Sequence, residues 1–281
     1  MFILFLIFQF LYILFANFVL QDNQSFQFTT PYWILWYMLA LIVWSIITPL
    51  FDVKKRWQRI LLFSGAVLIA LLAGFDDKIS YFMSMSRIIS FFPFFLAGFY
   101  LKKYTRFFAD DYKIKYRWLK TSIIGIVVAL IIILVYQNIG SINTVWLYES
   151  YPYSVKNYSW FIRLCAMCIA AIFIVFFVLI TPNRKLPIIT RAGERTLPCY
   201  LLHGFLIKYL ATIANDLSIN SPLIFCVVLS IVTVIVLTSK PVEIITRPLM
   251  IWPTYWKRHR KVSANPDAKG RLGDNLDSNL S

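Results

Sequence analysis

Apolar runs of membrane-crossing length recur along this chain, and they constrain its fold class before any motif is read. A spanning helix needs about 20 predominantly apolar residues. Eight runs approach that description, at about 2–20, 33–50, 59–74, 88–101, 119–136, 160–180, 198–214 and 222–238. With 59% of residues hydrophobic and only 15% charged, the chain falls outside the range of soluble globular proteins. The expected fold is all-α: a polytopic membrane helix bundle of about eight transmembrane helices, multi-pass in the cell membrane, with the lipid bilayer as its first partner.

The fourth run has unusual composition. Arg87 enters it, five phenylalanines fall between Phe91 and Phe99, Pro93 interrupts it, and Lys102-Lys103 closes it. It is shorter than a bilayer requires, so it tilts little, thins the bilayer or breaks at Pro93.

Charge placement gives an orientation. All but five of the 28 Lys and Arg fall in 51–59, 102–120, 181–197 and the stretch after 238. The intervening loops hold Lys78, Arg87 and Lys156, while Arg163 and Lys208 lie inside spans. Cationic residues collect in cytoplasmic loops, so this alternation predicts both termini in the cytoplasm. The same rule accounts for the net charge of +15 without nucleic acid as a partner. The predicted organisation is a transmembrane part over 1–240, an interfacial segment over 241–256 and a disordered basic and polar cytoplasmic tail over 257–281. No leader with a small-residue cleavage site precedes the first run. Nothing charged precedes it either, the first ionisable side chain being Asp22. A first helix normally carries flanking cations, so the chain reads as truncated, with an even number of helices expected upstream.

Few residues could carry chemistry. Cys165, Cys168, Cys199 and Cys226 lie in apolar runs and read as small packing residues, neither disulfide-bonded nor metal-binding. His259 sits in a basic patch suited to anionic lipid. His203 lies about 10 Å along a helix whose expected N-cap is Thr196, at 1.5 Å per residue. An ionisable group at that depth is a functional candidate, although a hydrogen-bonded packing histidine remains the alternative. Lys208, deeper still, must snorkel, line a cavity or pair with Asp76, Asp77 or Asp216. Arg87 is either an interfacial anchor or a clamp for an anionic group. Glu194 and Arg195 form either a capping turn or part of a phosphate-binding helix start. The aromatics around Trp33 and in 137–159 suit an interfacial belt or a sugar face. No nucleotide-binding glycine loop, metal-protease or serine-hydrolase motif is present.

Three stretches carry a family resemblance: Pro31-Tyr32-Trp33-Ile34-Leu35-Trp36-Tyr37 onward to Leu41, Arg87 to Tyr100 with its Phe-Phe-Pro-Phe-Phe core, and Gly193-Glu194-Arg195-Thr196-Leu197-Pro198-Cys199-Tyr200-Leu201-Leu202-His203-Gly204. In this order the chain resembles the acyltransferase 3 family of integral membrane O-acyltransferases, in its branch similar to fucose 4-O-acetylase. The resemblance covers most of 1–250. It implies about ten spans, acetyl-CoA as donor, no metal, and a hydroxyl of a sugar or cell-envelope polysaccharide as acceptor. It also implies a general-base histidine in a first helix that this sequence does not contain, which leaves activity of the chain alone in doubt. His203 matches a later Tyr-x-x-His motif instead. His203 and Arg87 then stand as catalytic candidates, and Glu194 and Arg195 as cofactor-binding ones. The competing expectations are a glycolipid or polysaccharide transporter or flippase, and an inactive remnant.

Overall fold

In the computed structural model, which describes residues 1–22, 25, 30–77, 79, 84–102, 117–155, 157–181, 186–216 and 222–246, each of the eight apolar runs falls on a helix. In chain order these are α1 (Phe2–Phe18), α2 (Trp36–Ile47), α3 (Arg56–Leu72), α4 (Met85–Leu101), α5 (Arg117–Gln137), α6 (Trp160–Ile180), α8 (Thr196–Asp216) and α9 (Pro222–Leu237). A short α7 (Pro187–Glu194) leads into α8. No strand occurs among the described residues. Among the described residues, with the flanking 3₁₀ turns of α2 included, four helices are long and apolar enough to cross a membrane: Trp33–Phe51, Trp118–Gln137, Trp160–Ile180 and Thr196–Ile213. A fifth follows if Phe225–Leu237 and Lys240–Thr246 form one span bent by 61°. The tail over 257–281 lies outside the described residues, as does 247–256. Residues 240–246 form α10, the short arm of that bend.

The helices group into two compact units, Phe26–Leu186 and the pairing of Met1–Ser25 with the residues from Pro187 onward. In the first, α4 packs against α2 and α3, and α6 against α3 and α5. The phenylalanines of α4 find aromatic partners: Phe91 lies 5.3 Å from Trp36, Phe92 5.1 Å from Phe51 and Phe95 5.1 Å from Trp44, between ring centroids. Such tilted and edge-on pairs add to the energy of simple burial. Trp44 also donates from its indole nitrogen to Ile88 O at 3.0 Å. The helix runs unbroken through Pro93. Proline removes one intrahelical donor, and dense packing on α2 and α3 holds the helix across that gap.

Much of the helix surface remains apolar. On α5 only Val128 is a buried hydrophobic, while Ile126, Leu130, Ile133 and Leu134 are exposed. Water would make such a helix insoluble, whereas hydrocarbon is its natural surround.

In the other unit, α1 packs on α8 and α8 on α9. The buried face of α1 comprises Leu4, Phe5, Phe8, Gln9, Tyr12, Ile13 and Ala16, a helical stripe. Its centre is Tyr12, 0% exposed. The ring stacks on Phe205 at 3.9 Å and 6°, and the hydroxyl donates to Leu201 O at 2.8 Å. Phe15 meets the same Phe205 ring edge-on at 5.1 Å.

These contacts predict an order of stabilities. Tyr12→Phe keeps the stack and loses one buried hydrogen bond, at about 1 kcal/mol. Tyr12→Ala loses both, at about 3–5 kcal/mol. Thermal unfolding in detergent should rank wild type above Tyr12→Phe and Tyr12→Phe well above Tyr12→Ala. Equal losses from the two variants would refute the stacking account.

Candidate functional site

An arginine inside an apolar helix is tolerated only when its donors are met and its charge is solvated by dipoles. Arg163, in the first turn of α6, is 0% exposed. Its Nε donates to Tyr158 Oη at 3.1 Å and its Nη1 to Ala70 O at 3.0 Å. Its Nη2 donates to Tyr151 O at 3.0 Å and to Ser86 Oγ at 3.4 Å. The rings of Tyr153 and Tyr158 flank the guanidinium at 5.0 and 5.3 Å. A single side chain thereby ties α3, α4, α6 and the loop before α6 together. With four of its five N–H groups engaged by the protein, Arg163 holds its neighbours in place.

The loop reaches this point through local chemistry. Asn143 caps a 3₁₀ turn over Thr144–Leu147, its side chain accepting from Val145 N at 3.1 Å. Glu149 then adopts a left-handed backbone with φ of 54°, which turns the chain inward. Its carbonyl accepts from Ser86 Oγ at 2.8 Å. Further on, Tyr153 lies against the C-terminal end of α3: its N–H donates to Gly74 O at 2.8 Å and its hydroxyl to Leu71 O at 2.6 Å. Ser159 caps α6, accepting from Ile162 N at 3.3 Å.

Glu149 supplies the anionic side of the cluster. It is 6% exposed, and its Oε2 lies 3.3 Å from Arg163 Nε. That N–H hydrogen-bonds Tyr158 instead, so the carboxylate oxygen has electrostatic attraction without a hydrogen bond. Burial pushes the Glu149 carboxyl up to about 7, against the downward pull of the Arg163 guanidinium and the nearby Ser90 hydroxyl. Burial likewise pushes the Tyr158 phenol up to about 12, so it meets the guanidinium as a neutral hydroxyl.

Arg87 stands beside this cluster, one residue after Ser86. It is half-buried, donating from Nε to Tyr148 O and from Nη2 to Ser150 Oγ, both at 3.3 Å. Its guanidinium carbon sits 5.6 Å from the Trp36 ring and 5.8 Å from the Tyr148 ring. This is a cation held between aromatic faces and less fully engaged than Arg163. An anionic or hydroxyl-rich ligand would find both charge and stacking surface there.

His203 lies on α8 in the other unit. Its Nδ1 is 2.7 Å from Tyr200 O and 3.1 Å from Cys199 O. Both neighbours accept only, so Nδ1 carries a proton. Thr196 is not the N-cap of this helix: it is the first helical residue, and its hydroxyl donates to Gly193 O at 3.2 Å. The preceding turn is shaped by α7, which leaves Arg195 at the junction. Arg195 pairs with Glu243 at 2.6 Å and donates to Thr238 O at 2.8 Å, spanning the bend between α9 and α10. Glu194 is exposed and Lys208 is half-buried. Asp77 accepts from Ser154 at 2.8 Å. The Asp216 side chain and His259 lie outside what the structure describes.

Arg163 and Glu149 are the residues the sequence does not single out. Arg163 carries the same signal as Lys208, an ionisable group inside an apolar run. Glu149 carries none, because a single carboxylate in a polar-aromatic loop is ordinary until the fold buries it.

Two outcomes follow. A Cβ at Gly74 would lie 2.3 Å from Tyr153 Cζ. Gly74→Ala must therefore displace that ring from Arg163, at about 1–3 kcal/mol, and the loss should show as a lower thermal midpoint. If Gly74→Ala melts with wild type, Tyr153 does not seat there. The Glu149 carboxyl titrates near 4.5 when unfolded and near 7 when folded. Across that window the folded state holds a proton the unfolded state has released. Stability therefore falls as pH rises from about 4.5 to about 7, by up to about 3 kcal/mol. Glu149→Gln keeps the neutral form and should abolish that slope in melts taken across the same window; an unchanged slope assigns the titration elsewhere.

The model of an acyltransferase domain family matches residues 1–240 of this chain. No curated protein and no solved structure matches it. The match takes in every helix from α1 to α9 and all the site residues described above except Glu243, and the chain belongs to the acyltransferase 3 family.

Proposed function

We propose that this protein is an O-acetyltransferase of the cell membrane that moves an acetyl group from acetyl-CoA to a hydroxyl of a sugar or cell-envelope polysaccharide. The family match over 1–240 carries this reading. In the transfer, the acceptor oxygen attacks the thioester carbonyl carbon, the carbon–sulfur bond breaks, and an oxygen ester forms. The hydroxyl proton leaves through a base, and CoA departs as the thiol.

The membrane arrangement that suits this chemistry has eight crossings with both termini in the cytoplasm. The cationic segments 51–59, 102–120 and 181–197 then face the compartment that supplies the CoA phosphates. Arg195 belongs to that set, and a phosphate would compete with Glu243 for its guanidinium. Arg87 is our choice for holding the acceptor, because a cation between Trp36 and Tyr148 offers a sugar both hydrogen-bond donors and aromatic faces. His203, on α8, is the second candidate, after Arg87, for contact with the reacting groups.

The test is acetyl transfer by the full chain reconstituted in liposomes, with acetyl-labelled acetyl-CoA and envelope polysaccharide. Alkali-labile label should appear in the glycan, and Arg87→Ala should lower the rate about 10- to 100-fold, the loss of one or two charge-assisted hydrogen bonds. Absence of labelled glycan both from the wild-type chain and from the chain extended by its upstream coding sequence overturns the reading. So does movement of glycolipid across the bilayer without acetyl-CoA, which would make the protein a transporter.

A further inference from the structure

Arg163 and Arg195 each meet a carboxyl group, Glu149 at 3.3 Å and Glu243 at 2.6 Å. Arg87 does not. It is half-buried, yet among the described residues its hydrogen-bond partners are a carbonyl, Tyr148 O, and a hydroxyl, Ser150 Oγ. The intervening residue explains the difference. Glu149 is the one acidic residue of the 137–159 stretch and stands between the two partners of Arg87 in sequence. Its left-handed backbone and its burial commit it to Arg163 instead.

A partly desolvated cation is costly until an anion meets it. A guanidinium has five N–H groups. Tyr148 and Ser150 take one from Nε and one from Nη2, which leaves both on Nη1 and one on Nη2 open among the described residues. These suit the paired oxygens of an oxyanion, which arginine holds two at a time. A neutral sugar hydroxyl satisfies a donor and leaves the charge unmet.

Aromatic rings frame the same place. Trp36 and Tyr148 lie 5.6 and 5.8 Å from the guanidinium carbon. Tyr148 is 55% exposed, and Tyr37, 5.9 Å from Trp36 between ring centroids, is 40% exposed. The apolar face of a sugar ring stacks on such surfaces, whereas a small inorganic anion gains nothing from them. Position separates this anion from the phosphates of the donor. Tyr100, near the other end of α4, donates to Phe51 O at 3.0 Å and lies 5.9 Å from the Arg59 guanidinium. The cationic segment 51–59 thus meets α4 about 20 Å along the helix from Arg87, at 1.5 Å per residue. In the arrangement proposed above, that far end is the one turned to CoA.

We propose that the acceptor is an acidic glycan, whose sugar carboxylate pairs with Arg87 while a sugar ring stacks on the aromatic rings around it. The inference rests on the glycan-acetylating function above and specifies its substrate class.

The probe is a fluorescent hexuronic acid oligosaccharide, compared with the same oligosaccharide after its carboxyls are reduced to alcohols. Binding of each to the full chain in phosphatidylcholine nanodiscs is read by fluorescence anisotropy. Wild type should bind the acid form about 10- to 100-fold more tightly than the reduced form, the difference between a charge-assisted pair and neutral hydrogen bonds. Arg87→Gln should bind the two forms alike. Arg87→Lys should keep part of the preference, as a point charge without the fork. Tyr148→Ala should weaken both forms and keep their ratio. That ratio, taken within one protein, does not move with a partly unfolded fraction, and the wild-type comparison needs no variant. Equal binding of the two forms by wild type overturns the proposal, and so does a preference that survives Arg87→Gln. Displacement of the acid form by acetyl-CoA assigns the cation to the donor, and displacement by short-chain phosphatidylglycerol assigns it to a lipid headgroup; either result overturns it. Acetyl transfer to neutral polysaccharide with no preference for the acid form removes this inference and leaves the function. Preference for the acid form without acetyl transfer to any glycan does the reverse.

Discussion

The cost of burying a guanidinium shapes the larger unit. A charge moved from water into low dielectric loses several kcal/mol of solvation even after relaxation. Arg163 recovers it through the carbonyls of Ala70 and Tyr151, the hydroxyls of Ser86 and Tyr158, and two aromatic faces. Those groups come from α3, α4 and the loop before α6, so the helices cannot separate without stranding the charge. The penalty for partial assembly is what makes the contact specific. Apolar helices in lipid have little other reason to choose one neighbour over another, since hydrocarbon packs against all of them.

That clamp also explains why Glu149 can approach neutrality without collapse of the cluster. The Arg163 charge is solvated mostly by neutral dipoles, so loss of the carboxylate charge removes one attraction among several. Desolvation then decides the carboxyl's protonation, and it holds its proton to about pH 7. Arg87, one residue from Ser86, inherits its position from this arrangement: fixing Ser86 on Glu149 O and Arg163 fixes the helix start from which Arg87 projects.

Apolar periodicity made the helices legible in the sequence, because lipid demands long runs and the chain supplies eight. The fourth run was legible in composition but not in consequence. Its phenylalanines can be counted in the sequence, but their partners cannot: Phe91, Phe92 and Phe95 pack on aromatics of and beside α2, and that packing carries the helix through Pro93. Arg87 was legible as a cation at a span's edge. Its setting was not, since Tyr148 and Ser150 come from a loop far along the chain. Arg195 shows the opposite limit: its motif invites a phosphate, yet local geometry gives the guanidinium an internal carboxylate on α10. A motif specifies which group is present, and only tertiary contacts specify which partner it keeps.

The two arginines of the larger unit divide the labour that one alone could not perform. A cation whose donors are mostly taken by protein acceptors is rigid and cannot turn to a ligand without releasing the structure it holds. A cation left with open donors can bind, but is misplaced unless something else fixes its backbone. Arg163 is of the first kind and Arg87 of the second, and Ser86 joins them by bonding one and preceding the other. The polar end of α4 can therefore receive a charged ligand, because the burial cost of holding the helix has already been met a few ångströms away.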